Sequence, residues 1–413
     1  MAVVLRWRLA GEFIQNMIFW CIFPFMALIL TQWIGVSKAG LYLALSQVFA
    51  VIAGLIGGTL ADRWGRKSVM TLTSLGFVVA LVIFLVGSWF QSVVLYWSAF
   101  TLLSVCNALY VPASRAMVSD LVPIHERNQV YARFYTFFNI AVISGPIIGS
   151  LVFFRYPLPF FSVAVVLGWV IVWITLLKTT ETRQLQDNAL PGERKSFWSD
   201  NLSAYRQVVK DPVLFLFILS GVFVAQAFMQ LEILFPLMVK ERLAVGTFAG
   251  WEIQANDFFA WMLSLNGILV VLFTSGMAKW MKSMPQKWVF IISSWLYGLS
   301  ILVFAESKGY MIVIIGIVIF TLAELMIVSV QEGFVSEIAP DDRRGTYFAA
   351  AQLRFVLGRL IAPQFLILLP LLGMKGTLLV IALFPMVSGF LYGGMFSLWT
   401  KKKQGKIDET FVG

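Results

Sequence analysis

Twelve long apolar runs constrain the fold more strongly than any other feature of the chain. A membrane-spanning helix needs about 20 mostly apolar residues. Runs of this kind lie at 11–33, 39–61, 68–88, 93–117, 130–154, 158–178, 213–238, 258–281, 287–305, 309–333, 346–370 and 376–399. Alternating segments of about ten residues, which a membrane β-barrel requires, do not occur in the sequence. The sequence therefore predicts an all-α polytopic membrane protein with twelve transmembrane helices.

Composition and charge support this class and predict an orientation. A chain with 60% hydrophobic and 13% charged residues has too little polar surface to cover a water-soluble globule. With the N-terminus in the cytoplasm, 21 Lys and Arg residues fall in internal segments, among them Arg6 and Arg8 before the first run, and 6 fall in external loops. This bias follows the positive-inside rule, so we expect a multi-pass protein of the cell (inner) membrane with both termini cytoplasmic and an uncleaved first helix. The net charge of +10 reflects this topology and contact with anionic lipid headgroups, so no nucleic-acid partner is expected.

One polar interruption divides the chain into halves. Residues 179–212 break the apolar pattern between the sixth and seventh runs. We therefore expect an N-terminal six-helix half at 1–178, a cytoplasmic linker at 179–212, a C-terminal six-helix half at 213–399 and a cytoplasmic tail at 400–413. Within the linker, residues 197–209 are consistent either with a short amphipathic helix on the membrane or with a partly ordered connection.

A short charged connection joins the second and third runs. Its sequence from 58 to 67 is Gly-Thr-Leu-Ala-Asp-Arg-Trp-Gly-Arg-Lys. We expect Gly58 to let helices approach closely, Asp62 to lie at a helix end and Gly65 to adopt a positive φ. The basic residues that would hold this turn in water are Arg63, Arg66 and Lys67.

The order of these residues resembles the signature between the second and third helices of major facilitator superfamily transporters. Every fixed position of that signature is filled, whereas the corresponding stretch of the second half has Trp280 where Asp62 would repeat. The resemblance implies the major facilitator fold, with two six-helix halves and alternating access around a central site. It also implies a cytoplasmic gate in which Asp62 and Arg66 act together with Asp120, at the end of the fourth run.

The fifth run contains a second motif, Gly145-Pro146-Ile-Ile-Gly149-Ser150. Glycine and proline together thin and kink a helix, so that another helix can cross it closely. The motif resembles the antiporter motif of drug exporters in the same superfamily, with Ser150 in place of the last glycine. A kink without a transport role is the alternative interpretation.

Ionisable residues inside predicted spans are the candidate binding residues. A charge near the bilayer centre costs several kcal/mol unless it is paired or hydrated. Glu232 follows Gln230 in the seventh run, and Glu324 lies midway along the tenth. Arg359 is predicted at a depth similar to that of Glu324, so we hypothesise an ion pair between them; contact with backbone carbonyls is the alternative for Arg359. The role of Arg354 stays open between a snorkelling structural residue and a functional one.

The resemblance extends to the proton-driven multidrug exporters of the superfamily. It implies a proton-coupled exporter of amphiphilic, cationic small molecules in which Glu232 and Glu324 bind protons and substrate. A nutrient symporter, a lipid or glycolipid flippase and a non-transporting membrane sensor are the alternatives. No nucleophile and base pattern or metal-ligand spacing occurs, so we expect neither an enzyme nor a metal or cofactor. The expected partners are the small-molecule substrate, protons and membrane lipid, and the expected state is a monomer.

Overall fold

The computed structural model describes residues 2–182, 211–243, 245–248, 251–328, 330–340 and 343–412. Within them, eleven helices are long and apolar enough to cross a membrane, and the last of these covers two predicted spans. The amphipathic helix considered for residues 197–209 lies outside the described residues. The predicted all-α, twelve-helix class is confirmed.

Six helices form the first half. They are α1 (Val3–Ile34), α2 (Val36–Trp64), α3 (Arg66–Phe90), α4 (Val93–Leu121), α5 (Gln129–Phe153) and α6 (Pro157–Lys178). Single residues with positive φ separate the first three: Gly35 has φ 79° and Gly65 has φ 97°. Since glycine adopts this conformation without a steric penalty, one residue is enough to end one helix and begin the next.

The second half contains the remaining membrane-spanning helices, and a short helix, Phe235–Arg242, follows the first of them. They are α7 (Pro212–Ile233), α8 (Ala255–Met281), α9 (Gln286–Glu306), α10 (Tyr310–Ile338), and then α11 and α12 within the continuous stretch Thr346–Gln404. Gly373, with φ 66° and ψ 174°, breaks this last stretch. We place the end of α11 and the start of α12 at this glycine, which restores the predicted count of twelve.

A two-stranded hairpin interrupts the helical pattern between α7 and α8. Strand β1 (Val245–Phe248) pairs antiparallel with β2 (Trp251–Gln254), and Val245 lies opposite Gln254. Valine, threonine, phenylalanine, tryptophan and isoleucine in these strands favour extended backbone. The hairpin was not predicted, because eight residues in a connection are too few to stand out from a loop.

The start of α1 also differs from its prediction. The helix begins at Val3, although the first apolar run was placed at 11–33. The charges of Arg6 and Arg8 had suggested a solvated N-terminal segment, but Arg8 is only 1% exposed and lies within the helix. Local charge was therefore a poor guide to this boundary, since the arginine has a partner inside the fold.

Contacts group the chain into two compact units. One contains Met1–Ala189 with Glu232–Gly267, and the other contains Leu190–Leu231 with Ile268–Gly413. In the first, α4 packs against α2 and α3, α1 against α5, and α3 against α6. In the second, α9 packs against α10 and α12. Aromatic rings fill both interiors, and one example is the parallel stack of Phe84 on Phe161 at 4.8 Å.

Candidate functional site

The turn between α2 and α3 holds a network of charges. Gly65 has φ 97° and ψ 149°, which confirms the predicted positive φ. Arg66, the first residue of α3, pairs with Asp62 at 2.9 Å and with Asp120 at the end of α4 at 3.2 Å. The structure thus brings together the three residues predicted for the gate.

Sequence reasoning missed a fourth member, Glu181. Its carboxylate accepts hydrogen bonds from the backbone N–H groups of Arg66 at 2.9 Å and Lys67 at 3.1 Å, so it caps the N-terminus of α3. A carboxylate is favourable there because the first N–H groups of a helix have no partner within the helix and carry its positive dipole end. The next residue, Thr182, donates to Asp120 at 2.9 Å. We call Asp62, Arg66, Asp120 and Glu181 the α2–α3 cluster.

Gly65 has a second role in this cluster. A Cβ atom at Gly65 would overlap the carboxylate of Glu181, so the missing side chain provides the space in which Glu181 reaches the backbone. No sequence signal could have selected Glu181, because it lies 115 residues from Arg66 and an acidic residue in a polar connection is common.

Two other members of the charged motif behave differently from expectation. The close helix approach occurs at Gly57, where a Cβ atom would lie 2.9 Å from Pro112 and 3.2 Å from the Cα of Leu109. At Gly58 a Cβ atom would meet nothing within 4 Å, so the prediction for this residue was wrong by one position. Arg63 is exposed, as expected for a residue that keeps the turn in water.

The glycines of the fifth helix make the close crossing that the motif predicted. A Cβ atom at Gly145 would lie 2.6 Å from the Cβ of Trp20, and one at Gly149 would overlap the backbone carbonyl of Cys21, both on α1. Pro146 lies inside the helix, which continues as a π-helical turn over Gly149–Phe153. The absence of side chains at the two glycines and the proline within the helix permit this close packing of α5 against α1.

The candidate residues of the second half are spread over three helices. Gln230 is buried and donates to the carbonyl of Ala362 at 3.3 Å, which ties α7 to α11. Glu324 on α10 is half-buried and close enough to Tyr297 to act on its hydroxyl electrostatically. Glu232 is also half-buried, and its contacts assign it to the other compact unit. The two predicted proton carriers therefore have different surroundings.

The two arginines of α11 also differ. Arg354 is 3% exposed; its guanidinium lies 4.8 Å from the ring centroids of Phe217 and Phe355, and it pairs with Glu332 at 3.4 Å. Arg359 is exposed and forms no ion pair with any described residue. The pair between Arg359 and Glu324 stays a prediction for another conformational state.

A buried charge cluster on α1 and α4 was also missed by the sequence. Ser114 Oγ lies 2.6 Å from both Arg8 Nη2 and Glu12 Oε2, accepting from the guanidinium and donating to the carboxylate. Arg8 and Glu12 themselves are 3.5 Å apart. The prediction counted Arg8 as a cytoplasmic charge, so it did not look for a partner inside the span. We call Arg8, Glu12 and Ser114 the α1–α4 cluster.

Comparison with known families assigns the fold. The family model of the Major Facilitator Superfamily matches residues 9–363. The chain belongs to the Major Facilitator Superfamily. A solved POT family transporter in complex with a thioalcohol conjugated peptide superposes with a TM-score of 0.79, covering 96% of each chain at 14% identity, a likeness that concerns the fold alone.

Two relatives of this major facilitator protein bear on its activity. It is 36% identical over 416 residues, 98% of each chain, to a Na(+), Li(+), K(+)/H(+) antiporter of Planococcus maritimus. It is 24% identical over 377 residues, 87% of this chain and 86% of the other, to the multidrug resistance protein MdtH of Proteus mirabilis. The chain is therefore a membrane transporter and not an enzyme.

The second half of this major facilitator protein repeats part of the first. Val335-Ser336-Glu337 at the end of α10 corresponds to Val118-Ser119-Asp120 at the end of α4, and a proline follows three residues after each acid. The turns match as well, since the third residue after each proline donates its N–H to the proline carbonyl at about 3 Å. Glu337, however, pairs with Lys403 near the end of α12, at 3.3 Å.

A buried aspartate anchors the start of α7. Asp211 accepts hydrogen bonds from Tyr347 at 2.7 Å, from Lys402 at 3.1 Å and from the backbone N–H of Val213 at 3.0 Å. Burial acts to raise the pKa of Asp211, but the hydrogen bonds from Tyr347 and Lys402 outweigh it and lower that pKa below its ordinary value. We call Asp211, Tyr347, Lys402, Glu337 and Lys403 the α7–α12 cluster.

Proposed function

We propose that this protein is a proton-coupled antiporter that exports monovalent metal cations, Na+, Li+ or K+, in exchange for protons. The observation that carries the proposal is the likeness to the Planococcus antiporter over nearly the whole of both chains. A likeness of this extent includes both six-helix halves, between which transporters of this fold bind their substrates.

The carboxylates inside the spans supply the chemistry for such an exchange. Glu12, Glu232 and Glu324 each lie within or at the end of a membrane-spanning helix and are half-buried. A carboxylate there binds either a proton or a cation, because one negative charge attracts only one of them strongly. Competition for the same oxygen atoms couples the two fluxes when the site opens alternately to the two sides.

The orientation and domain boundaries belong to the same proposal. The α2–α3 cluster lies on the cytoplasmic side of the cell membrane, as do both termini, in agreement with the distribution of Lys and Arg. The halves at 1–178 and 213–399 are joined by the linker at 179–212, and residues 400–413 form the tail. The protein acts as a monomer, because each chain carries both halves.

The α2–α3 cluster acts as the cytoplasmic gate in this proposal. The pairs of Arg66 with Asp62 and Asp120 are partly exposed, so each contributes about 1 kcal/mol or less. Contacts of this strength suit a gate, since they form and break in every cycle without trapping one state. Glu181 adds the start of the linker to the gate through the N-terminus of α3.

Export of amphiphilic organic cations is the second candidate. The likeness to MdtH and the antiporter motif at Gly145, Pro146 and Gly149 favour it. The same carboxylates would attract an organic cation as well as a metal cation, so the residues of the site do not separate the candidates.

Proton flux in everted membrane vesicles separates them. Vesicles from a host that lacks its own cation antiporters are energised to acidify their interior, and a pH-sensitive dye then follows the internal pH. We expect NaCl, LiCl or KCl to release the accumulated protons, and choline chloride to have no effect. Proton release by ethidium or another lipophilic cation, with none by the metal ions, would support the second candidate and contradict the first.

The variant Glu324→Gln tests coupling at the same time. A glutamine cannot exchange a proton, so we expect exchange against a cation gradient to be lost, while downhill cation movement stays measurable. The matched control is Glu241→Gln, since Glu241 is exposed. If Glu324→Gln still concentrates cations, Glu324 is not a coupling residue.

A further inference from the structure

Five polar residues of α1 and α4 face one another within the first half. Arg8, Glu12 and Gln15 follow at intervals of four and three residues, which places them on one face of α1. Tyr110 and Ser114 are four residues apart on α4. Ser114 is hydrogen-bonded to both charged residues of α1, and Tyr110 is close enough to both to interact with them electrostatically. Arg8, Glu12, Tyr110 and Ser114 therefore form one polar patch, and Gln15 extends it along the same face of α1.

Several polar atoms in this patch are buried without a partner. Nε and Nη1 of Arg8 and Oε1 of Gln15 have no hydrogen-bond partner among the described residues. Gln15 is 3% exposed, and the Arg8 side chain is fully buried. Because an unsatisfied buried polar group costs about 1–3 kcal/mol, native proteins keep such groups mainly where water, an ion or a ligand completes them.

The burial pattern is unlike that of a purely structural ion pair. A structural pair satisfies the guanidinium and encloses both charges, since one uncompensated buried charge is strongly destabilising. Here two guanidinium donor groups are unpaired, and the Glu12 side chain keeps 25% of its surface exposed. Glu12 is thus held on one side by Arg8 and Ser114 and is open on another.

We infer that Glu12, Gln15, Ser114 and Tyr110 form a binding site for a monovalent metal cation, in which Arg8 is a tethered competitor for the Glu12 carboxylate. Glu12 provides the negative charge, and the carbonyl oxygen of Gln15 and the two hydroxyl oxygens provide neutral ligands. Hard cations prefer oxygen ligands of these kinds. The inference rests on the proposed function, because it identifies a site for the cation that the antiporter would carry.

The competition gives Arg8 a defined role. In the described state Arg8 and Ser114 both contact Oε2 of Glu12, so a cation or proton that binds this oxygen must displace the guanidinium. Arg8 also lies 5.6 Å from the ring of Phe134, which offers an alternative cation–π contact for the displaced group. Arg115 is a further charge that acts on Glu12. Displacement of the guanidinium makes and breaks no covalent bond of the protein other than the one to an exchanged proton.

Direct binding of 22Na+ to the purified full-length protein tests the site. We expect wild type to bind 22Na+ saturably, and Glu12→Gln to bind at least about tenfold more weakly, because the neutral side chain lacks the charge. In cation-driven proton flux, Gln15→Leu should raise the KM for Na+ about three- to tenfold with little change in maximal rate. It removes one ligand of the cation but no charge that takes part in coupling. The control Glu241→Gln, an exposed carboxylate elsewhere, should bind like wild type.

A further variant guards against loss of folding. Glu12→Asp keeps the charge but moves it, so we expect binding with an altered preference among Na+, Li+ and K+; a merely structural Glu12 would change the rates for all three alike. If wild type shows cation-driven proton flux and Glu12→Gln binds 22Na+ with unchanged affinity, the site is wrong while the proposed function stands. If wild type shows no such flux with any of the three cations, the proposed function itself fails.

Discussion

The ends of α4 and α10 carry similar short sequences, Val-Ser-Asp and Val-Ser-Glu, but the two halves use them differently. In the first half Asp120 pairs with Arg66, the residue that begins α3 next to the Gly65 turn. In the second half Glu337 pairs with Lys403 near the end of α12, while Lys402 pairs with Asp211. The acid is repeated, and its basic partner comes from a different part of the chain.

This difference shows which parts of the first-half network are specific. Glu181 and the Gly65 turn have no equivalent in the described part of the second half, where residues 276–282 keep a glycine and lysines but have Trp280. We therefore propose a gate at the α2–α3 cluster only. The α7–α12 cluster instead fastens the end of α12 to the starts of α7 and α11.

The largest effect is expected from Gly65→Ala. The positive φ costs a non-glycine residue about 1 kcal/mol or more, and the new Cβ overlaps Glu181, so the N-terminal cap of α3 is lost as well. We expect transport to fall at least about tenfold, together with a lower melting temperature of the detergent-solubilised protein.

Two glycines provide the matched controls. A Cβ atom at Gly58 or at Gly276 would meet nothing within 4 Å, and both lie inside helices without a positive φ. Gly58→Ala and Gly276→Ala should therefore preserve the melting temperature or raise it slightly, because alanine favours helix. A loss of stability in Gly276→Ala equal to that in Gly65→Ala would contradict the distinction between the halves.

Arg354→Ala should have the next largest effect, on stability. The substitution removes a buried side chain that packs on Phe217 and lies against Gly221, and it leaves a cavity. We expect a loss of about 2–3 kcal/mol, measured by denaturant unfolding in detergent. The exposed neighbour is the control: Arg359→Ala should change stability by less than about 0.5 kcal/mol. Equal losses of stability in the two variants would show that the burial of Arg354 does not determine its contribution to the free energy of unfolding.

Asp120→Asn and Glu337→Gln compare the repeated acids directly. Asp120 loses its charge opposite Arg66, so we expect a severalfold lower transport rate and a changed distance between spin labels on the proposed cytoplasmic face. Glu337→Gln removes a pair in which both side chains are largely exposed, worth about 0–1 kcal/mol, and transport should be close to wild type. The gate assignment fails if the two variants reduce transport equally.

The smallest effect concerns pH and the α7–α12 cluster. Because folding lowers the pKa of Asp211, its contribution to stability is present above the ordinary aspartate value of 3.8 and is lost as pH falls through the lowered pKa. Tyr347→Phe removes one hydrogen bond that lowers this pKa, so the variant's loss of stability in acid should be smaller than that of wild type and should be complete at a higher pH. Melting temperatures from pH 3 to 7 check this; identical acid limbs would show that Tyr347 does not hold the pKa of Asp211 down.

Local patterns in the sequence predicted the parts of the structure that neighbouring residues determine. The twelve spans and the turn at Gly65 follow from apolar length and from one residue that needs a positive φ. The close packing at Gly145 and Gly149 follows from the absence of side chains there. These features depend on residue types within a few positions of each other, so a single sequence is enough.

The missed features depend on partners far along the chain. Glu181 contacts Arg66 across 115 positions, and Ser114 joins Arg8 across 106. Arg8 was placed outside the membrane because it precedes the first apolar run, two residues after Arg6. Its burial also depends on Ser114 of α4, and a hydrophobicity pattern carries no information about that contact.

Reconstituted protein gives the most direct test of the central claim, exchange of monovalent cations for protons. Purified protein is placed in liposomes that contain a trapped pH indicator, with the membrane potential clamped, and an outward Na+ gradient is imposed. We predict that protons enter in a Na+-dependent manner, that Li+ or K+ can replace Na+, and that Glu12→Gln and Glu324→Gln abolish the response. Proton movement unchanged by any of the three cations in active wild-type liposomes would contradict the account.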